Sequence, residues 1–210
     1  MARLIGPVCR YCRREGIKLF LKGVRCETAK CPMEKEYRNK PPGMHAWRRG
    51  KASEYGVRLR EKQKVKRYYG LFERQFRRFF AMAEKGTENT GANLLRLLER
   101  RLDSVVFRAG MANSRKSARQ MISHGHLRLN GKPCNRSGYL VKIGDRITVR
   151  GSERSQAYVR AQIGEDTDRA VPGWLTADLK KIEATVIALP TRDDVQIPVE
   201  EQLIVEFCSR

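Results

Sequence analysis

The sequence predicts an α+β fold with a cysteine-rich amino terminus. Apolar residues recur at helical spacing from about residue 54 to residue 110. A short helical stretch and several alternating strands come next, with an Asn130-Gly131 turn among them. The cysteines that precede the helices lie in two close pairs. At 210 residues the chain has room for one large or two small domains.

The amino-terminal cysteines have the spacing of a structural metal site. The pairs are Cys9 with Cys12 and Cys26 with Cys31, separated by a short loop. Four thiolates so arranged suit one tetrahedral zinc ion with no open position for water, and an iron–sulfur cluster is the lesser alternative. The alternative without a metal, four unrelated buried cysteines, is less favoured by this spacing. Three loop residues alternate as in a short strand: Ile17, Leu19 and Leu21.

Residues 40–53 are rich in proline, glycine and basic side chains, which predicts an extended connection. The basic residues around Trp47 are candidates to follow a phosphate backbone while the indole stacks: Arg48, Arg49 and Lys51. A solvated linker whose tryptophan packs on the next domain is an equally good interpretation.

Three helices are predicted in the middle of the chain. The first ends at Gly70, the second ends at Gly86, and the third begins near Asn89 and continues to Gly110. Their apolar positions are expected in the core: Phe76, Phe79, Leu94, Leu98 and Val105. The opposite faces carry candidate phosphate contacts: Arg58, Arg60, Lys62, Lys64, Lys66, Arg67, Arg74, Arg77 and Arg78. A basic face is usually only solvated, but this one has too few acidic neighbours to be neutral.

A helix and a small sheet follow. Ser114 is expected to cap a short helix that ends at Gly125, and further strands are predicted at residues 139–141 and 146–149. Three basic residues are expected on the outer side of this helix: Arg115, Lys116 and Arg119. A helix followed by a small sheet with basic residues along one side is typical of RNA-binding modules.

The last sixty residues are the least transparent. Residues 183–189 are predicted to form a strand and residues 165–168 a surface loop. Pro198 is expected at the first position of a terminal helix that packs on the middle helices. Glu200 and Glu201 are candidates for contact with a basic protein neighbour, and a solvated acidic surface is the alternative.

The charge is unevenly distributed along the chain. Residues 1–150 carry 37 Lys/Arg and 12 Asp/Glu, whereas residues 151–210 carry 7 and 11. Such an excess repels itself unless a polyanion neutralises it, and nucleic acid fits best because neutralised phosphates release counterions. We expect no membrane span, since no window approaches the roughly twenty apolar residues that one needs, and no membrane-surface binding, since the basic helices have apolar faces of ordinary core size. The absence of an apolar leader and the cysteine usage favour a reducing, cytoplasmic compartment.

The stretch RLDSVVFRAGMANSRKSARQMISHGHLRLNGKPCN…VKIGDRITV resembles the S4 RNA-binding domain. The blocks IGPVCRYCRREG, YGVRLREKQKVKRYYG and PVEEQLIVEFCSR extend the resemblance, over nearly the whole chain, to the S4 family of bacterial small-subunit ribosomal proteins. The resemblance implies that the cysteine quartet binds zinc. It also implies RNA contacts from the module's helix and strand edge: Arg115, Lys116, Arg119, His126 and Arg128.

This family resemblance also implies a domain organisation and a function. It divides the chain into a zinc knuckle at 1–46, a helical domain at 47–98 completed by about 198–210, and an S4-type domain at 99–197. It implies a structural ribosomal protein that binds 16S rRNA at a helical junction of the 5′ domain and nucleates assembly of the 30S body. Further implied partners are small-subunit protein five and mRNA near its channel into the subunit. With proteins five and twelve, such a protein influences decoding accuracy.

Two rival functions remain at this point. S4 modules also occur in pseudouridine synthases, and Arg101-Leu102-Asp103 resembles the sequence around their catalytic aspartate. The T-S-G continuation is absent, no separate catalytic domain fits in the remaining chain, and no small-molecule site is evident, so we expect no enzyme. A free-standing RNA-binding regulator is the second rival, and it leaves the matching blocks at both termini unexplained.

Overall fold

The computed structural model describes residues 6–45, 50–51, 53–86, 89–163 and 170–209. Trp47, Arg48, Arg49 and the loop predicted at 165–168 lie outside these ranges. The chain divides into two compact units, Met1–Leu94 with Gln196–Arg210 and Leu95–Val195. In the described ranges, no helix is both long enough and apolar enough to cross a membrane.

The first unit is helical. Its elements are α1 (Cys9–Glu15), a 3-10 turn (Gly23–Cys26), α2 (Glu54–Tyr68), α3 (Glu73–Ala83) and α8 (Glu201–Cys208), and α4 (Thr90–Glu99) begins in it. The Ser53 side chain caps α2 by accepting a hydrogen bond from the Gly56 amide at 3.2 Å. Gly70, with φ of 63°, follows the end of α2 as expected.

The terminal helix α8 packs on α2, as predicted. The Phe207 and Tyr55 rings lie 5.4 Å apart, and Ile204 is buried. The expected start of the helix is wrong, however, because Glu200 is the N-cap and Pro198 lies two residues before it. Pro198 therefore belongs to the irregular segment that precedes the helix and does not open it.

The strand predicted between the cysteine pairs is also wrong. Leu19 is buried, but the chain around it turns and then enters the 3-10 turn, and Phe20 has a positive φ of 48°. An isolated strand of this length has no neighbour with which to pair its backbone, so local turns satisfy those groups instead.

The second unit combines helices with a small sheet. Its elements are α5 (Leu102–Arg108), α6 (Arg115–Ser123), β1 (Leu127–Leu129), β2 (Lys132–Pro133), β3 (Arg146–Val149), α7 (Glu153–Ile163), β4 (Leu175–Asp178) and β5 (Glu183–Val186). The five described strands are antiparallel, in the order β2-β1-β3-β5-β4. With the helical first unit, this confirms the predicted α+β class.

The single helix expected from Asn89 to Gly110 is divided in two. Arg101 is extended, with φ of −65° and ψ of 138°, and it forms an isolated bridge with Leu140. The Leu102 amide donates to the Tyr139 carbonyl at 2.8 Å. The strand predicted at 139–141 is therefore only this bridge, and pairing with it interrupts the helix.

The Asn130-Gly131 hairpin between β1 and β2 is confirmed. Both residues have positive φ, 50° and 77°, which is the geometry that a two-residue turn between twisted strands requires. Helix α7 was not predicted, because it buries only Ser155 and Val159 and so has a weak apolar stripe.

Candidate nucleic-acid interface

The four amino-terminal thiols lie close together. Cys12, Cys26 and Cys31 are buried, and Cys9 is partly buried. Burial, together with the charges on Cys26, Cys9 and Cys31, raises the pKa of Cys12 to about 11. Among the described residues, however, no group of three or more His, Cys, Asp or Glu side chains has an arrangement that could hold a metal ion. The zinc site therefore stays a prediction.

The chemistry of this cysteine cluster nevertheless suits a thiophilic cation. The Lys22 amide donates to Cys26 Sγ at 3.4 Å, and a backbone hydrogen bond from Leu19 lowers the pKa of Cys12. Backbone donors to sulfur favour the thiolate, which is the form that binds metal. A cation would also relieve the mutual repulsion that raises these pKa values.

The basic face of α2 is already occupied by carboxylates of the first unit. Lys62 is buried, and its Nζ lies 2.6 Å from Glu73 Oε1 and 4.7 Å from the centre of the Phe207 ring. Lys66 reaches the other oxygen of Glu73 at 2.9 Å. Burial opposes ionisation of Glu73, but the hydrogen bonds from Lys62 and Lys66 outweigh it and hold its pKa at about 2.

Two further predicted contacts on α2 are also paired. Arg58 Nε donates to Glu206 at 2.8 Å, and its Nη1 donates to Glu54 at 3.0 Å. Arg67 bonds to Glu15 and lies over the Tyr11 ring, 4.9 Å from its centre. The RNA contacts proposed for these residues remain predictions, and the structure gives each one a role within the unit. Arg74, Arg78 and Lys51 are exposed.

The expectation that α6 presents Arg115 on its outer side is wrong. Arg115 is buried, with Nη2 3.1 Å from Glu99 and its guanidinium 4.7 Å from the centre of the Phe107 ring. Arg119 is partly buried and bonds to Asp103 at 2.7 Å. Of the three basic residues predicted there, only Lys116 is exposed. The cause is a pair of buried carboxylates that no local pattern shows.

Asp103 has a structural role. It is buried, Arg101 binds it with bonds of 3.0 and 2.6 Å, and Arg119 binds the same carboxylate. Burial opposes ionisation, but the charges and hydrogen bonds of Arg101 and Arg119 lower its pKa. Both oxygens of Asp103 are bonded to arginines and the residue is only 1% exposed, so a substrate has no access to the carboxylate, which argues against the synthase alternative.

A patch of basic and aromatic side chains lies around β1. Arg128 is exposed, and His126 is partly buried with its ring stacked on Tyr158, 4.8 Å between centres. His124, Arg150 and Arg154 line one cleft together with His126 and Tyr158, and Arg128 lines a second cleft that includes His124 and Arg150. His124, Arg150, Arg154 and Tyr158 were missed from sequence, although two arginines interleaved with serines at 150–155 could have suggested a basic surface there.

The acidic residues predicted for a protein contact differ in exposure. Glu200 is exposed, and its amide donates to Glu61 at 3.4 Å. Glu201 is partly buried, and a Cβ placed on Gly91 would lie 2.5 Å from the Cβ of Glu201. Gly91 therefore permits the close approach of α8 to the start of α4. A protein contact at these residues stays a prediction.

Comparison with known proteins identifies the family. Residues 3–99 match the model of the ribosomal protein S4/S9 N-terminal domain, and residues 100–147 match the S4 domain. Over 210 residues, covering all of both chains, the sequence is 54% identical to small ribosomal subunit protein uS4 of Halothermothrix orenii. The corresponding protein of Caldicellulosiruptor saccharolyticus is 52% identical, and the uS4A protein of Symbiobacterium thermophilum is 51% identical, both over full length. The chain belongs to the uS4 family.

Membership of the uS4 family confirms two predictions. The resemblance deduced from the terminal blocks and the module is correct, since the similarity extends over the whole chain. The chain is not an enzyme, because the uS4 family consists of structural ribosomal proteins.

Proposed function

We propose that this chain is a structural protein of the small ribosomal subunit that binds 16S rRNA directly, and that it works in the bacterial cytoplasm. Its full-length relatives are named small ribosomal subunit proteins. The observation that carries the proposal is the separation of its cations into buried and exposed sets. Buried arginines neutralise internal carboxylates, whereas Lys116, Arg128 and Arg150 have exposed side chains.

The excess charge supports contact with a folded RNA. The first unit carries 25 Lys/Arg and 12 Asp/Glu, and the second carries 19 and 11, so both are strongly positive. A ligand that meets both units must present phosphates over a wide area, which a helical junction does and a short single strand does not. We infer that the target is a junction of the 5′ domain, and that binding there nucleates assembly of the 30S body.

The finer partners belong to the same proposal. Glu200, exposed beside the start of α8, suits contact with small-subunit protein five. With proteins five and twelve the chain would influence decoding accuracy, and mRNA would pass near it on its way into the subunit. The basic charge of residues 1–150 and the acidic charge of residues 151–210 support separate RNA and protein contacts.

We further propose that Cys9, Cys12, Cys26 and Cys31 hold one structural zinc ion. Zinc with four thiolate ligands has no open position, so it would fix the fold of the knuckle and supply no catalysis. The buried thiols and the amides that donate to them fit this role. The same four ligands suit an iron–sulfur cluster, which metal analysis distinguishes from zinc.

Filter binding to the 5′ domain of 16S rRNA tests the central proposal. We expect tight, saturable binding that weakens about a thousandfold or more between 50 and 200 mM salt, as for a protein with six or more phosphate contacts. Sucrose-gradient fractions should also contain one copy per small subunit after a salt wash. Binding that is insensitive to salt, or a chain that leaves washed subunits, would contradict the proposal.

A further inference from the structure

A cleft of about 760 Å³ in the second unit has the composition of a nucleotide site. It lies where α6 ends, β1 begins, β3 ends and α7 begins, and we call it the α7 cleft. Its lining consists of His124, His126, Arg150, Ser152, Arg154, Ser155 and Tyr158. Among the described residues, none that lines it is acidic. Such a surface attracts an anion because its own charges are unbalanced.

The positive charge is concentrated around His126. Burial lowers the pKa of this imidazole, and charges on His124, Arg150 and Arg154 lower it further. The neighbouring Glu153 is exposed and lies outside the lining of the cleft. The Arg150 and Arg154 side chains are exposed as well, so a ligand can reach them directly. The negative charge of a bound phosphate would offset the repulsion among these basic side chains.

The orientation of His126 is fixed by a short hydrogen-bond chain. The Ser152 hydroxyl donates to Ser155 Oγ at 2.9 Å, and Ser155 Oγ lies 3.0 Å from His126 Nδ1. Because Ser155 accepts from Ser152, its own proton can go to Nδ1. Neutral His126 then carries its proton on Nε2, which is left as a donor for a ligand.

An aromatic surface accompanies the cations. The His126 and Tyr158 rings are stacked, 4.8 Å apart at 28° between their planes. Stacked aromatic side chains beside basic residues are how proteins hold unpaired bases, because every base has a π face and a neighbouring phosphate. A paired base is already stacked within its helix and cannot use such a surface.

A second cleft continues the path. It has a volume of about 540 Å³ and shares His124 and Arg150 with the α7 cleft. Arg128 and Asn135 are among the other residues that line it. The two shared side chains stand where the backbone of a nucleic-acid strand would pass from one cleft to the next.

We propose that the α7 cleft binds one unpaired RNA nucleotide. Its phosphate lies between Arg150, Arg154 and the imidazoles, and its base stacks on the His126–Tyr158 pair. The inference rests on the proposed function for its biological ligand, and it adds a site that the basic helices do not provide. It also predicts stronger binding at lower pH, since protonated histidines hold a phosphate more tightly.

Titration of the full chain with uridine 5′-monophosphate tests the site by itself. We expect NMR signals of the His124 and His126 rings to shift, and the midpoint of His126 titration to move to higher pH. Inorganic phosphate should bind more weakly and uridine more weakly still, because each supplies half of the ligand. Equal affinity for phosphate and for the nucleotide would overturn the stacking role, and no shift of either ring would overturn the site.

Binding to rRNA then tests its use. The double variant Arg150→Gln, Arg154→Gln should bind the 5′ domain about tenfold more weakly and with a salt slope lower by about 2, one for each lost phosphate contact. Arg160→Gln is the matched control, since it is exposed on another face of α7 and should change affinity less than twofold.

The outcomes distinguish a failure of the α7 cleft from a failure of the proposed function. If the unmodified chain fails to bind rRNA, the proposed function is wrong. If it binds and the double variant equals the control, only the α7 cleft is wrong. In a third arm, the unmodified chain should bind more tightly at pH 6 than at pH 8, and the variant His124→Gln, His126→Gln should lose that difference. A difference that survives in this variant would contradict the role of the histidines.

Discussion

Each unit buries a carboxylate that two arginines bind, but only the second unit satisfies both oxygens of its carboxylate. In the second unit, Arg101 donates to both oxygens of Asp103 and Arg119 adds a further donor. In the first unit, Arg60 and Arg67 both bond to Oε1 of Glu15, and among the described residues Oε2 is buried without a hydrogen-bond partner. Two arginines thus serve each carboxylate, but only one geometry satisfies both oxygens.

The pKa values follow from this geometry. The arginine charges and hydrogen bonds overcome burial at Asp103 and lower its pKa. Burial prevails at Glu15 and raises its pKa, although Arg67 and Arg60 act to lower it. The number of ion pairs therefore does not measure their benefit, because an unsatisfied buried oxygen retains its desolvation cost.

The largest expected effect concerns the proposed metal in the first unit. Purified protein should contain one zinc per chain, and Cys12→Ser or chelation should remove it. The free energy of opening measured by hydrogen exchange at the amides of residues 9–31 should then fall by several kcal/mol or to zero, because a structural zinc contributes on the order of 10 kcal/mol to folding. Protection in the second unit should not change.

The control for the metal prediction is Cys134→Ser in the second unit. Cys134 is a free, partly buried thiol outside the amino-terminal cluster. This variant should retain zinc and full protection at 9–31. A metal-free chain with unaltered protection there would rule out a structural metal.

The second effect is the loss of the satisfied carboxylate. Asp103→Asn should lower the free energy of unfolding of the second unit by about 3–5 kcal/mol, because it leaves buried guanidinium charge without its counterion. Urea unfolding followed at the Val105 and Ile122 amides measures this. Glu153→Gln, an exposed change in the same unit, should stay within about 0.5 kcal/mol. Similar values for the two variants would show that the buried pairing contributes little.

Much of the fold could be predicted from local sequence, whereas the buried ion pairs could not. Asn130-Gly131 and Gly70 mark chain reversals because their backbone geometry is intrinsic to these residues. Arg115, at the start of α6, pairs with Glu99, at the end of α4, sixteen positions earlier and with the whole of α5 between them in the chain. An arginine that satisfies a distant carboxylate has the same sequence pattern as one that faces solvent, so the burial of Arg115 could not be predicted from the sequence.

The break at Arg101 and the missed helix α7 have related causes. Neither a glycine nor a proline stands at Arg101, and the interruption comes from its pairing with Leu140. In the candidate interface, Arg128 was named because the family resemblance implies an RNA contact at that strand edge. Arg150 and Arg154 were not, because they meet at a cleft built from four separate elements, α6, β1, β3 and α7.

The third effect compares buried and exposed cations on one helix. Lys116→Gln should leave stability unchanged, weaken rRNA binding a few-fold and lower the salt slope by about 1. Arg115→Gln should first destabilise the second unit by roughly 2 kcal/mol or more, since it leaves Glu99 with fewer donors. Filter binding and urea unfolding of both variants separate the two roles. A reversed pattern would mean that Arg115 leaves Glu99 to meet RNA.

The smallest effect is the pH dependence of Glu15. Because its pKa in the folded chain is raised from 4.5, the folded state holds a proton that the unfolded chain has lost, so stability falls as pH rises through that window. Glu15→Gln should abolish this fall and change stability at pH 7 by about 1 kcal/mol or less.

The pH dependence of the stability that Asp103 contributes has the opposite sign. Its pKa is lowered from 3.8, so its contribution is present above that value and is lost as pH falls further. Urea unfolding of the wild type and of the variants Glu15→Gln and Asp103→Asn between pH 3 and pH 7 isolates the two contributions, because Glu73, whose pKa is about 2, is common to the wild type and to Glu15→Gln and cancels from their difference. The difference between wild type and Glu15→Gln in the first unit should change with pH in the opposite sense to the difference between wild type and Asp103→Asn in the second, and changes in the same sense would remove the distinction between the two carboxylates.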